Sequence, residues 1–134
     1  MTKHEYYIEE KDKVTKIKII IDYQVKSFKE LFFNCGCIES INFKKFYRNN
    51  ITDMSFMFCD CSSLKELNLN NFNTNNVTDM SCMFFGCSSL KELNLTNFNT
   101  NNVNNMWSMF LGCSDDLKMK IKSENKNIRD EAFN

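Results

Sequence analysis

The apolar residues of this 134-residue chain recur at a step of 26 residues. The segment that begins at Cys61, CSSLKELNLNNFNTNNVTDMSCMF, returns almost unchanged from Cys87 as CSSLKELNLTNFNTNNVNNMWSMF. The same step leads back from Cys61 to Cys35 and forward from Cys87 to Cys113. A fixed period of about 20–50 residues predicts structural units that bury their apolar faces against one another.

Each repeat predicts a short strand followed by a short helix. In LKELNL, the alternation of Leu67 and Leu69 is typical of a strand with one buried side. The polar stretch NNFNTNN then predicts a turn-rich connection. In VTDMSCMFFGC, Met80, Met83 and Phe84 follow the spacing of one face of a helix.

The residues that precede the recurring cysteines predict where each helix ends. They are Asn34, Asp60, Gly86 and Gly112. These residue types best tolerate the left-handed backbone found at helix C-termini. We therefore expect a positive φ at all four positions.

The predicted fold is an α/β, leucine-rich-repeat-like solenoid of about five 26-residue units. Parallel in-register short strands would form one face and short helices the other. One unit alone buries too little apolar surface to offset its conformational entropy, so the units must stack. The chain then forms one repeat domain, 1–134, with a degenerate N-terminal capping unit (1–35), three full units (36–113) and a partial C-terminal capping unit (114–134).

Both ends of the chain carry altered copies of the unit. Residues 14–19 restore the strand pattern, and VKSFKELFFNC (25–35) predicts the first helix. DLKMKIK (116–122) predicts a last strand, whose alternate lysines suit an exposed sheet edge. NIRDEAFN (127–134) predicts the beginning of a final helix.

The predicted core consists of residues that keep their place from repeat to repeat. They are Cys35, Cys61, Cys87, Cys113, Leu64, Leu67, Leu69, Leu90, Leu93, Leu95, Phe58, Phe84 and Phe110.

The cysteines allow three interpretations. Cys35 with Cys37, and Cys59 with Cys61, form two C-x-C pairs, and four thiolates could hold zinc. Cys37 and Cys59 do not recur, however, so no ligand pattern continues along the repeats. Stacked cysteines would also lie within disulfide range. We favour buried free thiols over both alternatives, and we expect no metal and no cofactor.

Composition narrows the class of protein. The 17 basic and 17 acidic residues balance, so no global field favours nucleic acid. The apolar runs of the chain, such as 19–21, are far too short to cross a bilayer. No secretory leader is visible, and seven cysteines is an odd number, which together favour a reducing compartment.

The repeat resembles a known family on the residues Met57, Phe58, Cys61, Leu64, Leu67, Leu69, Phe72, Thr74, Val77 and Met80. They match the pattern MF-x-x-C-x-x-L-x-x-L-x-L-x-x-F-x-T-x-x-V-x-x-M of bacterial surface proteins grouped as BspA-like leucine-rich repeat proteins. The resemblance implies a leucine-rich-repeat-like solenoid and a role in adhesion and protein binding at the cell surface. It implies no catalytic residue.

Catalytic patterns are missing from the sequence. His4 is the one histidine, and no nucleophile elbow, phosphate loop or dinucleotide fingerprint occurs. Asp53 and Asp79 recur one repeat apart, but Asn105 takes the third place. We therefore expect no enzymatic activity.

Exposed positions that vary between repeats are the candidates for partner binding. Trp107 is the outlier, since it replaces Ser81, and tryptophan is enriched at binding hot spots. Alternatively, Trp107 covers the last repeats against 127–134. The candidates are Lys65, Glu66, Asn68, Lys91, Glu92, Asn94 and Trp107.

The sequence thus predicts a non-catalytic protein-interaction module. Its partner would be a protein, with no nucleic acid and no direct membrane insertion. The alternatives are a structural spacer within a larger surface protein and an intracellular binding scaffold.

Overall fold

The structure is a computed structural model that describes residues 25–43 and 49–134. The predicted strand at 14–19 and His4 lie outside the described residues. Most of the predicted N-terminal capping unit lies outside them as well.

Successive repeats lie side by side and are joined by main-chain hydrogen bonds. The N–H of Phe58 donates to the carbonyl of Met83 at 2.9 Å, and the N–H of Phe84 donates to the carbonyl of Met109 at 3.0 Å. Each pair is one residue short of the 26-residue step. Isolated parallel β-bridges pair residues that lie one full 26-residue repeat apart: Ser27 with Asp53, Asp53 with Asp79, and Asp79 with Asn105.

Regular secondary structure is sparse among the described residues. Strands β1 (Ser40–Asn42) and β2 (Glu66–Asn68) pair in parallel. Helix α1 spans Asp115–Glu124, and a 3₁₀ helix spans Asp130–Phe133. Because residues 25–43 and 49–134 form one α-helix and a two-stranded sheet, the prediction of a five-unit leucine-rich-repeat-like solenoid, with strands on one face and helices on the other, is wrong.

The predicted helix of each repeat is a series of turns. Phe56, Cys82 and Ser108 have φ values of 56°, 52° and 53°, far from the roughly −63° of an α-helix. Every second N–H group closes a short turn within its own repeat. Met83, for example, donates to the carbonyl of Met80 at 3.3 Å. The alternate N–H groups donate to the next repeat. An α-helix cannot form here because the N–H groups that it would need are used in the short turns and in the hydrogen bonds between repeats.

The left-handed conformation predicted before each recurring cysteine is confirmed. Asn34, Asp60, Gly86 and Gly112 have φ values of 57°, 59°, 71° and 82°. They connect turns rather than end helices. At Gly86 an added Cβ would also overlap Oδ1 of Asp60, so the Asp60 side chain would have to move.

A stack of phenylalanine rings runs through the repeats. Phe58 lies parallel to Phe84 with 5.6 Å between ring centroids, and Phe84 lies parallel to Phe110 at 5.5 Å. Phe32 extends the stack at one end at 5.6 Å, and Phe133 extends it at the other at 5.3 Å. Ring pairs at such distances add to the free energy gained by burial.

Most of the predicted core residues are buried. The buried ones are Cys61, Cys87, Cys113, Leu64, Leu69, Leu90, Leu93, Leu95, Phe58, Phe84 and Phe110. Cys35 and Leu67 are half-buried and pack against this core. The thiols of the buried recurring cysteines donate to carbonyl oxygens 29 residues earlier, at 3.1–3.2 Å: Cys61 to Phe32, Cys87 to Phe58 and Cys113 to Phe84.

Helix α1 replaces the strand predicted at 116–122, so that prediction is wrong. The Ser114 hydroxyl accepts from the N–H of Leu117 at 3.3 Å and caps the helix, whose first turn is acidic. Leu117 and Ile121, four residues apart, are buried, whereas Met119 is 63% exposed. Capping and this spacing outweigh the strand-like alternation of lysines.

The C-terminal segment lies where a further repeat would lie. Ser108 donates its N–H to the carbonyl of Glu131 at 2.9 Å, and Phe110 donates to Ala132 at 2.7 Å. The segment predicted to begin a helix at 127–134 forms the 3₁₀ helix, which places Phe133 on the ring of Phe110. The segment therefore closes the stack at this end.

Candidate interaction surfaces

The first candidate surface, the lysine–glutamate face, consists of Lys65, Glu66, Asn68, Lys91, Glu92 and Asn94. All six residues are exposed. β2 carries Glu66 and Asn68, whereas the equivalent Glu92 and Asn94 lie in extended chain outside the two strands.

Two of the four charged residues of the lysine–glutamate face are paired with other surface charges. Lys65 Nζ lies 3.0 Å from a carboxylate oxygen of Glu39, and Lys120 Nζ lies 3.8 Å from Glu92. Such exposed pairs contribute little stability, but they leave the face nearly neutral.

The two asparagines of this face also have local partners. The Oδ1 atoms of Asn68 and Asn94 accept from the N–H groups of Asn70 and Thr96, each at 3.0 Å. Both side chains therefore stabilise the adjacent turn.

The second candidate surface, the aromatic face, is formed by the outward side chains of the turns. Trp107 is 60% exposed, Phe33 47% and Leu111 38%. Phe56 and Phe85 are half-buried. These five residues define the face. Large apolar side chains gathered on one surface are typical of interaction sites.

Main-chain hydrogen bonds align the aromatic face from repeat to repeat. Asp60 donates its N–H to the carbonyl of Phe85 at 2.7 Å, and Gly86 donates to the carbonyl of Leu111 at 2.8 Å. Phe85 and Leu111 thus occupy the same place in neighbouring repeats. Phe33 and Cys59 occupy that place in the preceding ones, and Cys59 is buried.

Trp107 is held through its backbone while its indole remains exposed. Its N–H donates to Oδ1 of Asn105 at 3.1 Å, and its carbonyl accepts from Cys82 at 3.0 Å. With 60% of its surface exposed, the Trp107 side chain remains largely in contact with solvent, and its covering of 127–134 stays a prediction.

Sequence reasoning singled out Trp107 but missed the other members of the aromatic face. The available signal was the column Phe33, Cys59, Phe85 and Leu111, which stays apolar although it directly precedes the left-handed position. An apolar residue beside a tight turn points outward as readily as inward, so the column alone does not predict exposure.

Two cysteines lie beneath the aromatic face. Burial, followed by the nearby Asp60 carboxylate, raises the pKa of Cys59 to about 12. Burial, followed by the carboxylates of Asp79 and Asp60, raises the pKa of Cys82. Both thiols are therefore protonated near neutral pH and make poor nucleophiles and metal ligands.

The described residues show no grouping of three or more histidine, cysteine, aspartate or glutamate side chains suited to a metal ion. The described cysteines are all free thiols. In this part of the chain, also, no helix has the length and apolar character needed to cross a membrane.

The recurring aspartates stabilise turns. Oδ1 of Asp79 accepts from both the N–H and the hydroxyl of Ser81, at 2.8 and 2.6 Å. Asp53 binds Ser55 in the same way. The carboxylates lie in successive repeats, each engaged with its own serine, as expected for a structural role.

The asparagine pairs form a further ladder between repeats. Asn76 donates its side-chain N–H to the carbonyl of Asn49 at 2.6 Å, and Asn102 donates to the carbonyl of Asn75 at 2.7 Å. These side chains satisfy main-chain acceptors in the turns.

Comparison with known proteins gives one match. The family model described as "Mycoplasma protein of unknown function, DUF285" matches residues 26–131. No curated protein and no solved structure matches the chain.

Proposed function

We propose that the chain, which belongs to the family described as "Mycoplasma protein of unknown function, DUF285", is a non-catalytic protein-interaction module that binds its partner through the aromatic face. The observation that carries the proposal is the exposure of Trp107 on the turn side of the repeats. Exposed tryptophan, with other apolar side chains around it, has the composition of a binding hot spot.

The contrast with the lysine–glutamate face supports this choice of surface. Lys65 and Glu92 are already engaged in ion pairs with Glu39 and Lys120. A partner that replaced these pairs would gain little, because exposed ion pairs contribute only about 0–1 kcal/mol each. Burial of an exposed indole, in contrast, removes a large apolar area from water.

The repeat architecture also favours binding over catalysis. The described turns supply aligned side chains on an extended surface, which is how stacked-repeat proteins hold their partners. The resemblance of the repeat to bacterial surface proteins supports a location at the cell surface, which is part of this proposal.

The test compares three proteins as baits for affinity capture: the unmodified chain, Trp107→Ser, and a Lys65→Ala/Lys91→Ala variant. Serine is the natural residue at the equivalent position, Ser81, so Trp107→Ser preserves the turn. We expect one partner to be retained by the unmodified chain and by the lysine variant, and lost with Trp107→Ser. Loss with the lysine variant alone would refute the aromatic face as the binding surface.

A further inference from the structure

The aromatic face lies among carboxylates although the chain as a whole is neutral. The turn segments that carry the face, 25–35, 51–61, 77–87 and 103–113, contain four acidic residues, Glu30, Asp53, Asp60 and Asp79, against two lysines, Lys26 and Lys29, and no arginine or histidine. All three aspartates are partly exposed. The lysines of the later repeats, Lys65 and Lys91, belong to the lysine–glutamate face.

Two of these carboxylates, Asp60 and Asp79, lie near Cys59 and Cys82, the cysteines of the aromatic face. Asp60 lies against Gly86, whose added Cβ would meet Oδ1 of Asp60. The thiol of Cys59, beneath the face, donates to Oδ2 of Asp60 at 3.6 Å. Burial, followed by the carboxylates of Asp79 and Asp60, raises the pKa of Cys82, which agrees with this placement.

The sign of the charge selects among possible occupants. A second copy that presented the same face would place carboxylates against carboxylates, and like charges in a desolvated interface are unfavourable. A membrane surface rich in anionic lipids would be repelled for the same reason. A cationic segment would be attracted, and its lysine or arginine side chains would also meet the π face of Trp107.

We propose that the aromatic face, flanked by Asp53, Asp60 and Asp79, binds a protein segment that presents apolar side chains next to lysine or arginine side chains. This inference rests on the proposed function, because it assigns a partner chemistry to the same surface. Apolar burial supplies the affinity, and the carboxylates select the charge of the partner.

The chain itself suggests substitutions that remove the charge and keep the fold. Asn34 occupies the position equivalent to Asp60 with φ 57°, close to the 59° of Asp60. Asn105 occupies the position equivalent to Asp79, and its Oδ1 accepts from the N–H two residues later as Asp79 does. An Asp60→Asn/Asp79→Asn variant should therefore fold normally.

The probes are two synthetic amphipathic peptides of equal length, one of leucine and lysine and one of leucine and glutamate. Trp107 is the single tryptophan of the chain, so its fluorescence and its quenching by acrylamide report burial of the face directly. The control variant, Glu66→Gln/Glu92→Gln, removes the same number of negative charges from the lysine–glutamate face. Phosphatidylserine vesicles test the membrane as an occupant.

We expect the leucine–lysine peptide to bind saturably, to shield Trp107 from acrylamide, and to bind about tenfold more tightly than the leucine–glutamate peptide. Asp60→Asn/Asp79→Asn should weaken its binding roughly threefold or more, whereas the control variant should not.

Equal binding of the two peptides, binding of neither, or equal losses in the two charge variants would overturn the inference. Shielding of Trp107 by the vesicles, or by raising the protein concentration alone, would overturn it in favour of a membrane or a second copy. If Trp107→Ser abolishes capture of the native partner while the peptide charge has no effect, the proposed function stands and only the partner chemistry fails. If Trp107→Ser leaves capture unchanged, the proposed function itself fails.

Discussion

Phe84 and Phe85 are neighbours in the sequence but belong to different regions of the molecule. Phe84 is fully buried between the rings of Phe58 and Phe110. Phe85 points to the aromatic face and is half-buried. The Phe84 position keeps phenylalanine from repeat to repeat, whereas the Phe85 position changes to Cys59 in one direction and to Leu111 in the other.

The two positions show which side chain of a repeat packs in the core and which one is left at the surface. A stacked ring contacts the same ring above and below, so any change in one repeat disturbs two others. An outward side chain has no such constraint. Repetition therefore marks the core, and variation marks the surface that we propose as the binding site.

The largest expected effect follows from the same substitution at these two neighbours. Phe84→Ala should lower the free energy of unfolding by about 3–5 kcal/mol, because it removes a buried ring between two others. Phe85→Ala should cost less than half as much, because its ring is partly in water already. Chemical denaturation of both variants measures the difference, and equal losses would show that the two regions are not distinct.

A second contrast tests the left-handed positions. Gly86→Val should cost about 2–4 kcal/mol, since it adds left-handed strain and overlaps Asp60. Asp60→Gly should instead reduce backbone strain, because glycine adopts a positive φ, such as the 59° of Asp60, more readily than aspartate does. We expect the melting temperature to fall clearly for Gly86→Val and to change little for Asp60→Gly. A stable Gly86→Val protein would contradict the close approach of the two repeats.

A smaller effect should appear at alkaline pH. Burial, followed by the nearby Cys35, raises the pKa of Cys61 from 9.0 to about 12. The folded protein therefore holds this proton more tightly than the unfolded chain does. The contribution of the protonated Cys61 thiol to the free energy of unfolding is fully present below about pH 9. It is lost as the pH rises toward about 12.

Urea denaturation at about pH 8 and about pH 10.5 measures this loss. Cys61→Val removes the thiol, and its stability should fall less over the same interval. Because lysines and tyrosines also titrate there, the difference between the two proteins is the informative quantity. An identical fall in both would place Cys61 in contact with water.

The period, the buried columns and the left-handed positions could be predicted from the sequence because each is a property of residue type at a fixed step. The helices could not. Met80, Met83 and Phe84 follow a spacing of three and four residues, which consecutive turns share with an α-helix. The α-helix is excluded by the positive φ of three residues, Phe56, Cys82 and Ser108. Their residue types do not predict a positive φ.

Helix α1 and the aromatic face were missed for related reasons. Leu117, Met119 and Ile121 alternate with lysines, which favours a strand until the Ser114 cap and the acidic first turn are considered. The aromatic face depends on side chains that do not repeat, so a method based on repetition directs attention away from it. Trp107 was found because it breaks the pattern.

The smallest expected effect on stability is also the sharpest test of the comparison. Trp107→Ser restores the residue found at Ser81, and the indole that it removes is 60% exposed. The free energy of unfolding should change by no more than about 0.5 kcal/mol, as is usual for surface positions. If the aromatic face is the binding surface, the same variant should lose its partner. A large loss of stability would instead show that Trp107 contributes to packing. The proposed separation between the core and the binding surface would then be contradicted at the most exposed residue of the aromatic face.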